Sequence, residues 1–211
     1  MSFKVCCISD THNNHVKLTI PECDILIHCG DFSGIGTLQE TKSFLEWFSK
    51  QPSKHKCFIS GNHDFLDYNE PSMFKELVKE YPNITYLRDE MVEIEGLKIF
   101  GHPWTPTFYD WAFMLDRGSP KMIKSVEIIP SNIDILISHG PVYGILDEVN
   151  GEHVGCGDLL NELERIKPKI LVCGHLHSAH GIKEINGTKY INCAVLNDQY
   201  TMSFKPTIFK L

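Results

Sequence analysis

Seven side chains that suit divalent cations are scattered along this sequence, and each lies just beyond a short apolar run. Asp10 and His12 follow Phe3 to Ser9, and Asp31 follows Ile25 to His28. Asn62 stands in Gly61-Asn62-His63-Asp64, after Lys56 to Ile59. His139 follows Ile133 to Ile137, and His175 and His177 form Gly174-His175-Leu176-His177 after Ile170 to Cys173. Together they offer two carboxylates, four imidazoles and one amide oxygen. One metal ion takes about three or four protein ligands, so seven donors with one carboxylate shared suit two ions. Two ions roughly 3.5–4 Å apart are what phosphoester chemistry uses to clamp attacking and leaving oxygens. Any one of these residues alone has an ordinary explanation as a turn residue or a satisfied histidine. Five clusters at five separate run ends do not.

The elements needed to position such residues can be read around them. The apolar runs are β-rich and short, and Thr37 to Lys50 between two of them has its apolar residues near helical spacing. Pro71 to Glu80 reads as a helix with proline at its start, as does Asp158 to Ile166, which Pro168 closes. Tyr86-Leu87 reads as a short strand, and Met91 to Ile94 with Lys98 to Phe100 as a hairpin. The tail reads as strands only: Gly181 to Ile185, an Asn186-Gly187 turn, Lys189 to Asn192, Thr201 to Phe204 and Ile208 to Leu211. One α/β domain over 1–211 is expected, with two facing mixed sheets and helices on the outer sides, an α/β/β/α sandwich. Strand carboxyl ends are where open α/β sheets place their sites, and the neighbouring glycines permit sharp turns there.

Bulk properties narrow the function. The chain has 211 residues, 42% hydrophobic and 22% charged, as an ordinary globular protein does. No run is long enough for a membrane span, and Met1-Ser2-Phe3-Lys4-Val5 enters directly into a strand-like run, so a cytoplasmic protein without a membrane partner is expected. Eight cysteines without a C-x-x-C pair fit buried reduced thiols better than a disulfide framework or a zinc finger. The net charge of −7 speaks against a long nucleic acid as partner. An acidic protein can still bind phosphate if bound metal supplies the positive charge.

In this order, D-x-H, G-D, G-N-H-D, H and G-H-x-H resemble the calcineurin-like metallophosphoesterases, over Asp10 to His177. Gly101 to Pro106, Ser138 to Pro141 and Val154 to Cys156 further resemble the small metallophosphoesterase-domain-containing phosphodiesterases, some of which lose the first histidine of G-H-x-H. Here His175 is present. The resemblance implies that Asp10, His12 and His177 hold one ion and Asn62, His139 and His175 the other, with Asp31 bridging. It implies that His63 contacts the phosphate with Asn62 and protonates the leaving oxygen, and that Asp64 either orients His63 or serves a turn or helix cap. Manganese is the expected metal, with iron, zinc, cobalt or magnesium compatible. The expected reaction is attack by a metal-bridging hydroxide on a phosphodiester, a small or cyclic nucleotide. A phosphomonoesterase or phosphoprotein phosphatase is the alternative, and a non-catalytic scaffold on the same fold a further one. Only Arg88, Arg117 and Arg165 are present, and none lies in a motif, which leans against a phosphatase. Trp104, with Phe108, Tyr109 and Trp111 nearby, offers an aromatic wall for a nucleobase, or else packs over the core. Asp158 is expected to cap the helix that follows it.

Overall fold

The computed structural model describes residues 2–211. Two mixed sheets face each other. The first holds β1 (Lys4–Ile8), β2 (Cys23–His28), β3 (Ser53–Phe58), β4 (Thr85–Tyr86) and β15 (Thr207–Lys210), in the order β15-β1-β2-β3-β4. The second holds β5 (Glu90–Ile94), β6 (Leu97–His102), β9 (Ile135–Ser138), β12 (Ile170–Cys173), β13 (Gly181–Ile185) and β14 (Thr188–Asn192), in the order β13-β14-β12-β9-β6-β5. Two ribbons, β7 (Thr105–Pro106) with β8 (Met114–Leu115) and β10 (Glu148–Val149) with β11 (Glu152–His153), lie in the loops.

Side-chain alternation builds the layers. Val5, Cys7, Ile25 and Ile27 face Ile135, Ile137, Ile170 and Val172 in the core between the sheets. Their neighbours Cys6, Ile8 and Leu26 point the other way, against Phe44, Leu45 and Phe48 of α1 (Leu38–Ser49) and Phe74 and Leu77 of α3 (Pro71–Lys79). On the far side Leu136 and Leu171 meet Met122 and Val126 of α4 (Pro120–Glu127) and Leu159 of α5 (Gly157–Ile166). The central strands are buried on both faces, which is why they read as continuous apolar runs. This is the expected α/β/β/α arrangement, and α2 (Phe65–Asn69) is a short addition to it.

Several local expectations are corrected. Thr201 to Phe204 does not form a strand. The Asn197 side chain accepts from the N–H groups of Gln199 and Thr201, Tyr200 takes φ 55°, and a bridge between Leu196 and Met202 is all the pairing left. Asp158 is not the cap of α5. Cys156 is, its Sγ accepting from Leu159 N, while Asp158 accepts from Gly118 N. α4, capped by Ser119 with Pro120 at its start, is an element beyond those expected from the sequence. All eight cysteines are free thiols, and seven of them are buried.

Candidate metal centre

The seven donors hang from the carboxyl ends of five strands. β1, β2 and β3 are parallel neighbours in one sheet and deliver Asp10 and His12, Asp31, and Asn62. β9 and β12, parallel neighbours in the other, deliver His139, His175 and His177. The two rows must then be stitched together. Gly174 does this, because an added Cβ would stand 2.0 Å from Ser9 Oγ and 2.1 Å from Asp10 Oδ2. Next to it, His175 N donates to Asp10 Oδ2 at 2.9 Å, a bond from one sheet to the other. Asp10, His12, Asp31 and His175 all have positive φ, between 37° and 68°. Non-glycine residues adopt that region at a cost and concentrate there at functional sites.

Three of the imidazoles are oriented the same way. Nδ1 of His12 lies 3.0 Å from Ser33 O, that of His139 2.9 Å from Cys29 O, and that of His177 2.9 Å from Asn197 O. A carbonyl only accepts, so Nδ1 carries a hydrogen in each ring and Nε2 is the atom left to bind a metal. Those Nε2 atoms are aimed at more acceptors: His139 at Asn62 Oδ1 (2.9 Å) and Asp31 Oδ2 (3.4 Å), His12 at Asp31 Oδ2 (3.7 Å), His177 at Asp10 Oδ1 (3.5 Å). His12 Nε2 is buried and has no hydrogen-bond partner. For His12, whose ring burial keeps neutral, lone pair faces lone pair, which a cation between them would relieve; His139 and His177, beside Asp31 and Asp10, can hold a second proton there, which a metal ion would displace. Ligands about 2.1 Å from a metal are about 3.0–3.4 Å apart along a coordination edge, close to these spacings. A carbonyl behind each of these three histidines is the outer support such sites use.

The donors group as Asp10 with His12 and His177, Asp31 with His139 and His175, and His12 with Asp31 and His63, each set with ligand atoms within 4.8 Å of one another. Asp31 thus sits between the two sides. Electrostatics point the same way. Burial works to raise Asp31, yet His139, His63 and His12 hold it well below the usual carboxylate range. Burial works to lower His139, yet Asp31 and Asp10 lift it to about 9. His175, by contrast, is driven down to about 3 by burial and by His139, which favours the neutral ring that a metal needs. These residues fit divalent cations.

His63 stands at the rim. Its backbone N donates to Asp31 Oδ1 at 2.8 Å, and its Nδ1 lies 2.7 Å from Gly34 O. Asp64 does not orient that ring, contrary to one expectation. It is buried and accepts from Asp31 N (2.9 Å), Gly61 N (2.8 Å), Ser33 N (3.1 Å) and Ser33 Oγ (2.6 Å). Burial and the charge of Asp31 push its carboxyl up to about 8, while Ser33 and Gly61 pull it back. With four donors and no acceptor around it, the carboxylate is the form the geometry fits. The residue stands at the N-cap position of α2, but its side chain makes no cap bond there. Asp64 ties the loops after β2 and β3 together.

Trp104 fits the second of its two readings, that of a packed ring. Its Nε1 donates to Asp89 Oδ2 at 2.7 Å, and its ring meets Phe113 edge-on at 5.4 Å. Other aromatics stand beside the histidines of the centre. The ring of Trp111 stacks on His63 at 4.2 Å, Phe108 lies 5.5 Å from His175, and Tyr200 lies 4.9 Å from His12 and 5.1 Å from His177. Phe108 and Trp111 belong to an aromatic cluster visible in the sequence. Tyr200 follows Asn197-Asp198-Gln199 and carries no motif at all.

Comparison with known proteins agrees with this geometry. Residues 3–179 match the family model for calcineurin-like phosphoesterase. The chain is 36% identical to human metallophosphoesterase domain-containing protein 1, over 97% of this chain and 70% of that protein. It is 35% identical to a UPF0046 protein of Caenorhabditis elegans, over 98% of this chain and 74% of that one. The crystal structure of TT1561 of Thermus thermophilus superposes with a TM-score of 0.63 at 10% identity, over 91% of this chain and 89% of that one, a likeness of fold. With that match over most of its length, and with the motif residues gathered at one edge of two facing sheets, the chain belongs to the calcineurin-like phosphoesterases.

Proposed function

We propose that this protein hydrolyses phosphodiesters of small or cyclic nucleotides, with two divalent cations, manganese first among them, as cofactors. The observation that carries the reading is the place of Asp31 Oδ2, 3.7 Å from His12 Nε2 on one side and 3.4 Å from His139 Nε2 on the other. Asp10, His12 and His177 would hold one ion with Asp31; Asn62, His139 and His175 would hold the second with Asp31. When bound, such ions lower the pKa of a water and offset the charge of a phosphate. His63 has the part that remains. With Nδ1–H held by Gly34 O, its Nε2 is the ring atom left to give a proton to the leaving oxygen. Asn62 and His63 would touch the phosphate, and Asp64 acts at one remove by holding the backbone of Asp31 and Gly61.

The preference for a nucleotide diester is supported by what borders the centre. A cleft of about 630 Å³ opens beside His175 and His177, with Phe108 and Tyr200 on its walls. Both rings are half exposed, at 49% and 52%. Exposed aromatic faces next to a charged centre suit a planar group joined to the phosphate. Arg117 lines the cleft too, its guanidinium donating to Thr107 O at 3.4 Å and Val154 O at 2.5 Å. A scaffold role has less support, because all seven donors and His63 are present.

The test is the rate of manganese-loaded protein on bis(4-nitrophenyl) phosphate against 4-nitrophenyl phosphate, followed by cyclic nucleotides. A higher kcat/KM on the diester, abolished by chelator and restored by manganese, is expected. A preference for the monoester would select the phosphomonoesterase reading, and bound metal without turnover of either would select the scaffold.

A further inference from the structure

We infer that Trp111 is a positioning residue for His63: it holds the imidazole in the orientation that aims Nε2 at the leaving oxygen. The inference rests on the proton-donor role proposed for His63. His63 has one polar anchor on its ring, Nδ1 to Gly34 O at 2.7 Å. One hydrogen bond leaves a ring free to pivot about it, so a second constraint is needed to fix the plane. Trp111 supplies one face, stacked at 4.2 Å between centroids with the planes 27° apart. His12 meets the ring edge-on at 4.5 Å and 81°. Anchor, face and edge together leave the imidazole a single orientation.

The chain delivers Trp111 there through main-chain bonds. Thr105 N donates to Phe113 O and Thr107 N to Leu115 O, each at 3.0 Å, which closes residues 107–113 into a loop. Ala112 N then donates to Asn62 O at 3.1 Å. The residue after Trp111 is thereby bonded to the residue before His63, so the two rings are set in register by main chain. Phe65 adds a tilted contact to Trp111 at 5.9 Å. The ring contacts of Trp111 are with His63 and Phe65 and with none of the seven donors, so a change at Trp111 should act on the acid first; His12 meets His63 edge-on, which is why metal content is read as well.

A water-derived oxygen forms a bond to phosphorus, the bond from phosphorus to the leaving oxygen breaks with its electron pair going to that oxygen, and the Nε2 proton of His63 joins it. Solvent restores the proton. A leaving group that is stable as an anion does not need the proton, whereas a basic one does.

The experiment compares bis(4-nitrophenyl) phosphate with diphenyl phosphate, or the matching monoesters, on wild type, Trp111→Ala, Trp111→Leu, Trp111→Phe, His63→Ala and the His63→Ala/Trp111→Ala double variant. Metal content is measured for each. His63→Ala should lose far more kcat on the phenyl ester than on the nitrophenyl ester. Trp111→Ala should show the same bias at about tenfold on the phenyl ester, with metal content and KM unchanged. Trp111→Phe should recover most of the loss, and the double variant should be no slower than His63→Ala. Trp111→Leu keeps apolar bulk without a stacking face, so it carries the test if Trp111→Ala does not fold, and it should keep the bias. Equal losses on both esters for the Trp111 variants, or a double variant slower than His63→Ala by the full Trp111 factor, would overturn the inference while leaving His63 as the acid. Absence of bias in His63→Ala would overturn both.

Discussion

Replacing Gly61 by alanine should disable the centre through two of its donors at once. An ideal Cβ there stands 2.3 Å from Asp31 Oδ1 and 2.5 Å from His139 Cε1, where ordinary contact begins at 3.4 Å. If the backbone holds, the carboxylate must yield 3.4 − 2.3 = 1.1 Å and the ring 3.4 − 2.5 = 0.9 Å. Neither is free to do so. Asp31 Oδ1 accepts from His63 N at 2.8 Å, and His139 is tied to Cys29 O at 2.9 Å. The backbone N of Asp31, 2.6 Å from the added carbon, blocks the remaining escape. Misplacement by about 1 Å at a reacting centre costs about a hundredfold in rate, and overpacking costs about 1–3 kcal/mol in stability. Gly61→Ala should therefore lower kcat/KM by about a hundredfold and reduce bound metal, measured by steady-state kinetics and elemental analysis on protein whose circular dichroism matches wild type. Gly157→Ala is the control. At the start of α5 its added carbon meets nothing within 4 Å, and it should leave kinetics unchanged and stabilise by about 0.4–1 kcal/mol. Wild-type turnover and metal content in Gly61→Ala would mean that Asp31 and His139 do not serve the centre in the positions described.

Three other outcomes are expected. Trp104→Phe should cost about 1–3 kcal/mol in urea denaturation, since Asp89 Oδ2 loses its donor and Oδ1 already has none, while kcat/KM on nucleotides holds; a tenfold kinetic loss would return Trp104 to the substrate. His28 is buried and driven by burial to about 3 from 6.5. Between those values the unfolded chain binds the extra proton, so stability falls as pH drops through the window, by about 2 kcal/mol at pH 5. Metal-free His28→Gln should lose about that much less than wild type between pH 7 and pH 5, and equal losses would show that His28 is not the group responsible. Finally, chelation should lower the Tm, and manganese at a hundred times its Kd should restore about 2.7 kcal/mol per site, followed by calorimetry; an unchanged Tm would mean the ions do not bind the folded chain preferentially.

Much of the fold was legible because burial on both faces leaves a plain mark. Ile25 to His28 and Ile170 to Cys173 are apolar almost without interruption because helices and a second sheet cover them. The donors were legible because each follows such a run and most have glycine beside them. Where local bonding competes with pattern, reading failed. The β-like run from Thr201 to Phe204 loses its pairing to the Asn197 turn, and a cysteine rather than Asp158 caps α5 because Cys156 occupies the position whose side chain faces Leu159 N.

Which atoms can grip cations is written in the chain, since donor chemistry belongs to residue type: carboxylates, imidazoles and one amide at the ends of five strands. Which aromatic stands where is settled only by packing. Trp104 and Trp111 are seven positions apart in one aromatic cluster, and nothing local tells which is tied to Asp89 and which lies on His63. That choice follows from the 3.1 Å bond of Ala112 N to Asn62 O, a contact between residues 62 and 112, and Tyr200 reaches His12 and His177 only because a left-handed turn brings it back to the sheet edge. Long-range packing leaves no periodicity in the chain, so only the folded molecule displays it.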